Sequence, residues 1–331
     1  MRLLKTFYKR LVGLSFRLYA TIQDPFCSKD IIIMYHRILD KKLPGLYDSA
    51  MYVTTTSLQL HIKEIKKHFD IVSVNELLKP SISGKGRCAF TFDDGWMDNY
   101  QCAYPVLKRL GVPATIFLTA NIINTNRNLW FHSIWHLANQ SIKNNKQQAL
   151  LNWFGNNLVE IHDTKITEET VAKMALAFKD LEPSRIDNII DMAYQDLDLE
   201  RDAAPNMLTW AQVSDMYDNG INIGSHGLSH YILTNIDDKV RRSEIFESRR
   251  IIEENNVTID PVFCYPNGNW DEATIKHVIA AGHKGAVTTT LGFNDSNTNP
   301  YQLKRIGLHE DISSDASLLW YRLLQCLLAT E

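Results

Sequence analysis

The chain has 331 residues, 45% of them hydrophobic, with 35 Lys and Arg against 38 Asp and Glu for a formal charge of −3. That size allows a large core plus an insertion, and basic residues scattered through helices, not gathered with aromatics, argue against a nucleic-acid partner. The cysteines at 27, 88, 102, 264 and 326 are odd in number and lack a Cys-x-x-Cys pair, arguing against a disulfide framework or thiolate zinc site and for a reducing compartment.

Residues 1–24 come first. Leu4, Phe7, Tyr8, Leu11, Leu14 and Leu18 fall at helical spacing, interleaved with Arg2, Lys5, Lys9, Arg10 and Arg17. No apolar run reaches the roughly 18 residues of a membrane span, and Arg17 stands where an export signal should be apolar or small. The pattern predicts a basic amphipathic helix, either in peripheral contact with membrane through residues 1–21 or packed on the rest of the protein. A cytoplasmic location, peripheral on the inner face of the membrane, is the corresponding expectation.

Next comes an apolar strand, Ile31 to His36, then an amphipathic helix from Ser57 to His68, a short strand at Ile71–Val74 and a helical turn from Asn75. Arg87–Phe92 reads as a buried strand, Asn99–Leu110 as a helix that Gly111 terminates, and Ala114–Leu118 as another strand. Between about Ile122 and Pro205 the alternation stops. Helical patterns at Val171–Phe178 and Ile186–Tyr194, with Trp130, Phe131, Trp135, Trp153 and Phe154, predict a helical insertion over residues 121–205. Strands at Ile221–Ser225, Pro261–Cys264 and Ala286–Thr289 then alternate with helices at Asp237–Asn255 and Asp271–Ala281. Such alternation predicts right-handed parallel crossovers, so residues 25–120 and 206–331 form an α/β barrel or sheet.

Polar motifs begin where four of these strands stop. Thr91-Phe92-Asp93-Asp94-Gly95 and Ser225-His226-Gly227-Leu228-Ser229-His230 offer a carboxylate pair and two imidazoles, enough for one divalent metal and a spare acid–base group. Alone, Asp-Asp-Gly is a common turn, and His-x-x-x-His converges on an ion only if helical or tightly turned. With Met34-Tyr35-His36 and Tyr265-Pro266-Asn267-Gly268, they point to one cleft at the carboxyl ends of parallel strands.

Phe90-Thr91-Phe92-Asp93-Asp94-Gly95, Ser225 to His230, and Tyr265 to Gly268 resemble, in order, the first three motifs of the polysaccharide deacetylase family, also called the NodB-homology domain or carbohydrate esterase family four. The resemblance runs from about Ile31 to about Leu308 and is closest to the members whose acid histidine motif lies on the N-terminal strand. It implies a distorted (β/α)7-type barrel, here with the helical insertion over its mouth, and metal-dependent removal of N-acetyl, less often O-acetyl, groups from sugars. By similarity Asp94 is the carboxylate ligand beside His226 and His230, and Asp93 is the base. The implied ion is zinc, with cobalt, nickel or manganese compatible with the same donors. An oxyanion would be held by the Asn267 N–H, since Pro266 has none.

Two positions depart from the family pattern. Cys264 stands where the family commonly has an arginine, and Arg305 is either its replacement or an ordinary surface charge. The proton donor is either His36 or His309, with His36 favoured because it ends an apolar strand. The implied partner is an N-acetylated glycan, on which the insertion is either a lid whose aromatics stack on sugar rings or a plain packing subdomain. A glycoside hydrolase using Asp93 and Asp94 would leave the histidines idle, and a silent glycan-binding protein would have no use for the complete Asp-Asp-His-His set.

Overall fold

The computed structural model describes residues 2–41, 45–81, 84–179, 181–202, 204 and 206–329. Met1 and Pro205, outer bounds of the expected N-terminal helix and insertion, lie outside them. The strands are β1 (Asp30–Tyr35), β2 (Arg37–Leu39), β3 (Tyr52–Thr54), β4 (Asp70–Ile71), β5 (Arg87–Phe92), β6 (Ala114–Leu118), β7 (Asn222–Ser225), β8 (Val262–Cys264), β9 (Gly285–Leu291) and β10 (Leu303–Gly307). The helices are α1 (Arg2–Ile22), α2 (Thr55–Ile65), α3 (Tyr104–Leu110), α4 (Trp130–Lys143), α5 (Gln147–Asn157), α6 (Glu168–Phe178), α7 (Pro183–Asp196), α8 (Trp210–Asp218), α9 (Asp238–Glu254), α10 (Glu272–Ala280), α11 (Glu310–Ser313) and α12 (Ala316–Leu328).

The sheet runs β1-β10-β9-β8-β7-β6-β5 and closes because β1 also pairs in parallel with β5, from Asp30↔Arg87 to Tyr35↔Phe92. This is the expected (β/α)7-type barrel. β4 takes the amino-terminal part of the β5 edge, beside Arg87 and Cys88, while β6 takes Phe90–Phe92. Closure puts side chains from both faces of a strand into apolar surroundings, so β6 is buried along its whole length. Ile32, Ala89, Phe117, Val262 and Val287 pack together in one cluster, while Ile31, Ile33, Phe90 and Ile116 join the larger core with helix residues such as Leu58 and Leu107.

Helix ends follow local chemistry. Gly111 adopts the left-handed conformation that stops α3, and the Asp237 carboxylate caps α9 by accepting from Lys239 and Val240 N–H. The helix expected from Asn99 is not α-helical throughout: Asn99–Ala103 is π-helical before α3 begins. Here Asp98 and Asn99 turn their side chains to the segment after β1, where Asp98 accepts from Arg37 Nε at 2.7 Å and Ile38 N–H at 2.8 Å. Such π segments recur where a side chain must be re-aimed at a site.

Helices α4 to α7 share their own apolar core, including Leu137, Phe154, Met174, Phe178 and Ile190. Trp153 is buried in that core too, whereas Trp130 and Trp135 also reach the cleft of the barrel. Helix α1 packs on α12. Gly13 lies so close to the Ser317 carbonyl that any β-carbon would collide with it, and Phe16 meets Trp320 with ring centroids 5.9 Å apart.

Candidate active site

Barrel closure gathers the four polar strand ends. Asp93 follows β5, and its N–H donates to the Tyr35 carbonyl at 2.9 Å, extending the β1–β5 ladder by one step. The next residue breaks it. Asp94 has φ 79°, a left-handed conformation costly for a residue with a β-carbon, and it sends the two adjacent carboxylates different ways.

Asp93 meets Arg305. The guanidinium donates from Nη1 and Nη2 to the two carboxylate oxygens at 2.7 Å each, and from Nε to the Thr288 carbonyl at 2.7 Å. Burial pushes the Asp93 carboxyl up, but Arg305 together with His226 outweighs it and holds the group below its ordinary value. Arg305 Nη2 also lies 3.3 Å from Cys264 Sγ. The guanidinium thus sits beside the cysteine on β8 although its own chain enters along β10.

Asp94 meets the histidines. Its Oδ2 accepts from Trp96 Nε1 at 2.7 Å, while Oδ1 is buried with no hydrogen-bond partner. That oxygen lies 3.5 Å from His226 Nε2 and 3.4 Å from His230 Nε2. His226 Nδ1 is 2.9 Å from the Cys264 carbonyl, which can only accept, so Nδ1 carries the proton and Nε2 presents a lone pair. Burial drives the His226 imidazole down to about 4, against the pull of Asp93, so it is neutral at neutral pH.

The His-x-x-x-His segment is a turn and not a helix. Gly227 (φ 79°) and His230 (φ 60°) are both left-handed, and buried Glu244 of α9 braces the turn by accepting from Leu228 N–H at 3.0 Å and Ser229 N–H at 2.8 Å. Donors about 2.0–2.2 Å from one tetrahedral ion lie about 3.3–3.6 Å apart. The orphaned Asp94 oxygen and its spacing from both Nε2 atoms therefore fit a single divalent ion.

His36 follows β1 and lines the cleft, its carbonyl held by Asn99 Nδ2 at 2.8 Å. His309 caps the start of α11 and is absent from the described residues lining the cleft. Asn267, also left-handed at φ 57°, lines the opposite wall, and its Oδ1 accepts from Lys179 Nζ of the insertion at 2.8 Å. The cleft is about 680 Å³, with Trp130, Phe131 and Trp135 of α4 and Leu176 of α6 forming its upper wall. Sequence reasoning passed over Trp96, Asp98, Lys179 and Glu244. Trp96 could have been suspected from its place directly after Asp-Asp-Gly, but the other three carry no local signal.

The polysaccharide deacetylase family model matches residues 82–286, more than half of the chain. The chain belongs to the polysaccharide deacetylase family. It is a carbohydrate deacetylase. Among curated proteins, the putative polysaccharide deacetylase YxkH of Bacillus subtilis is 22% identical over 90% of this chain and 77% of its own. Among solved structures, this deacetylase is similar to IcaB from Ammonifex degensii, at TM-score 0.58 and 13% identity over 89% of this chain and 97% of the other. It is also similar to the Streptococcus pyogenes deacetylase PplD, solved in complex with acetate, at TM-score 0.56 and 16% identity over 91% and 99%. At these identities the structures speak for the barrel alone. Membership of the deacetylase family implies an N-acetylated glycan as substrate.

Proposed function

We propose that this deacetylase removes N-acetyl groups from a polysaccharide or lipid-linked glycan with one divalent ion held by Asp94, His226 and His230. The observation that carries the reading is the separation of two adjacent carboxylates: Asp94 joins two imidazoles, while Asp93 stands apart in the grip of Arg305. The O/N donor set favours zinc, with cobalt, nickel or manganese as alternatives. When bound, the ion supplies Lewis-acid polarisation of the acetyl carbonyl and acidifies a water.

The residues of the chain do the rest. Asp93, kept ionised by Arg305, takes the proton of the attacking water. The Asn267 N–H donates to the developing oxyanion. His36, across the cleft, gives a proton to the departing amine, which would otherwise leave as a poor anion. Trp130, Phe131 and Trp135 offer flat apolar faces to sugar rings. We place the protein on the cytoplasmic side of a membrane, in peripheral contact with it, a reading supported by cysteines that are odd in number and lack a Cys-x-x-Cys pair.

Acetate release from a panel of N-acetylated oligosaccharides, with and without chelator, tests this reading. Chelator-sensitive release of acetate with matching free amine is expected. Release of reducing ends without acetate would make the protein a glycoside hydrolase, and sugar binding without any release a silent lectin.

A further inference from the structure

Helix α1 is amphipathic in the reverse sense. Its small residues Gly13 and Ala20, with Phe16, face α12, while its large apolar residues face outward. Leu4 is 73% exposed, Phe7 64%, Leu11 55%, Leu18 59% and Ile22 80%. With Tyr8 and Leu14 they cover an arc of about 120° at the 100° per residue of an α-helix. Such a continuous apolar strip is unusual on a soluble surface and marks a contact.

The rim of the strip says what the contact is. Helix α1 contains Arg2, Lys5, Lys9, Arg10 and Arg17 and no acidic residue. Lys5 flanks one side of the arc and Arg10 and Arg17 the other, these two also pairing with Asp315 and Glu64. Lys9 reaches over the Tyr321 ring of α12, and no acidic residue of α1 opposes an anionic surface. A second copy docked by two-fold symmetry would set this basic rim against itself. An anionic lipid surface complements both the apolar strip and the rim. No helix of the described residues is long and apolar enough to cross a membrane, so α1 would lie in the interface.

We infer that α1 seats the protein on an anionic membrane, with Leu4, Phe7, Leu11, Leu14, Leu18 and Ile22 immersed among the acyl chains. The pairs Arg10–Asp315, Gly13–Ser317 and Phe16–Trp320 show that α1 runs parallel to α12, from the mouth end of the barrel toward its base. Laying α1 flat therefore lays the barrel on its side. Its cleft then opens along the surface, where the sugar of a lipid-held glycan stands. Only this last step rests on the deacetylase reading.

The test uses the full chain and vesicles of phosphatidylcholine with or without phosphatidylglycerol. Co-sedimentation with the anionic vesicles is expected, falling at high salt. Phe7→Asp with Leu11→Asp, and independently Leu14→Asp with Leu18→Asp, should each lower partitioning by about tenfold or more. Acetate release from a soluble N-acetylated oligosaccharide should stay unchanged in both. Failure of the unmodified chain to bind anionic vesicles would overturn the inference. So would a dimer, seen by light scattering, that the same substitutions dissociate. Vesicle binding by a chain that releases no acetate from any substrate would instead leave the membrane surface standing and remove the deacetylase mechanism.

Discussion

Arg305 and Asp93 are 212 residues apart, yet the guanidinium holds both carboxylate oxygens at 2.7 Å. Arg305 reaches this position along β10 and leans on Cys264 of β8, the position where an arginine is common in the family. Arg305→Ala should lower turnover by about a hundredfold or more. It should also destabilise the fold by about 3–5 kcal/mol, because a buried carboxylate loses its cation. Arg305→Lys, which keeps charge but not the fork, should fall between. Exchanging the two positions, Cys264→Arg with Arg305→Cys, should recover part of the turnover that Arg305→Cys alone loses. Acetate-release kinetics and denaturant unfolding measure both effects, and no recovery would show that the guanidinium must enter along β10.

The two carboxylates should separate cleanly in a metal-binding experiment. Asp93→Asn is expected to take up zinc like the unmodified chain while turnover drops about 10²–10⁴-fold. Asp94→Asn and His226→Ala should lose affinity for the ion beyond the about 10–100-fold that removal of an outer partner brings. Titration calorimetry on chelator-stripped protein reads the first property without any substrate. Equal loss of metal in Asp93→Asn would move that residue into the ligand set.

His36 and His309 answer to the same assay. His36→Ala should cut turnover by about 10²–10⁴-fold with metal still bound, whereas His309→Ala should act close to the unmodified enzyme. Asp98→Asn should give a smaller loss in kcat, since it loosens Arg37 and Ile38 directly behind His36 without touching the cleft.

Acid stability carries a further expectation. Burial drives His61 down to about 4 and His283 to about 3. Both rings are neutral in the fold but protonate near their ordinary value of 6.5 once unfolded. The unfolded chain then binds more protons, so their contribution is complete above about pH 6.5 and is lost as pH falls toward 4 and 3. Asp260 opposes them: burial raises its carboxyl to about 7, so the fold holds a proton that the unfolded chain releases near 3.8, and stability declines as pH rises between these values. Thermal melts from pH 4 to 7.5 should show a shallower acid loss in His61→Gln and a steeper one in Asp260→Asn. Unchanged slopes in both would show that neither group titrates as its burial requires.

Much of the barrel was legible because its signals are local. Apolar β-branched runs, Gly111 and the strand-end motifs each act within a few residues, and the observed β6, α9 and α10 lie within a residue of where the pattern puts them. The π-helical turn at Asn99 was not legible, since its cause is a contact with the segment after β1 that no local period records. The same holds for Glu244, one acid among many on α9 until the fold sets it under the histidine turn.

By itself the sequence determined which donors end which strands, and so the chemistry that Asp93, Asp94, His226 and His230 can offer. Tertiary structure alone decided how they divide. The left-handed turn at Asp94 parts the two carboxylates, closure of β1 on β5 and β10 brings Arg305 to one of them, and strand order puts His36 in the cleft while His309 stays outside its lining. It also decided which face of α1 stays open, because only close approach to α12 selects the small residues for packing and leaves the large ones outside. Each decision rests on contacts between residues distant in the chain, which side-chain chemistry permits but does not specify.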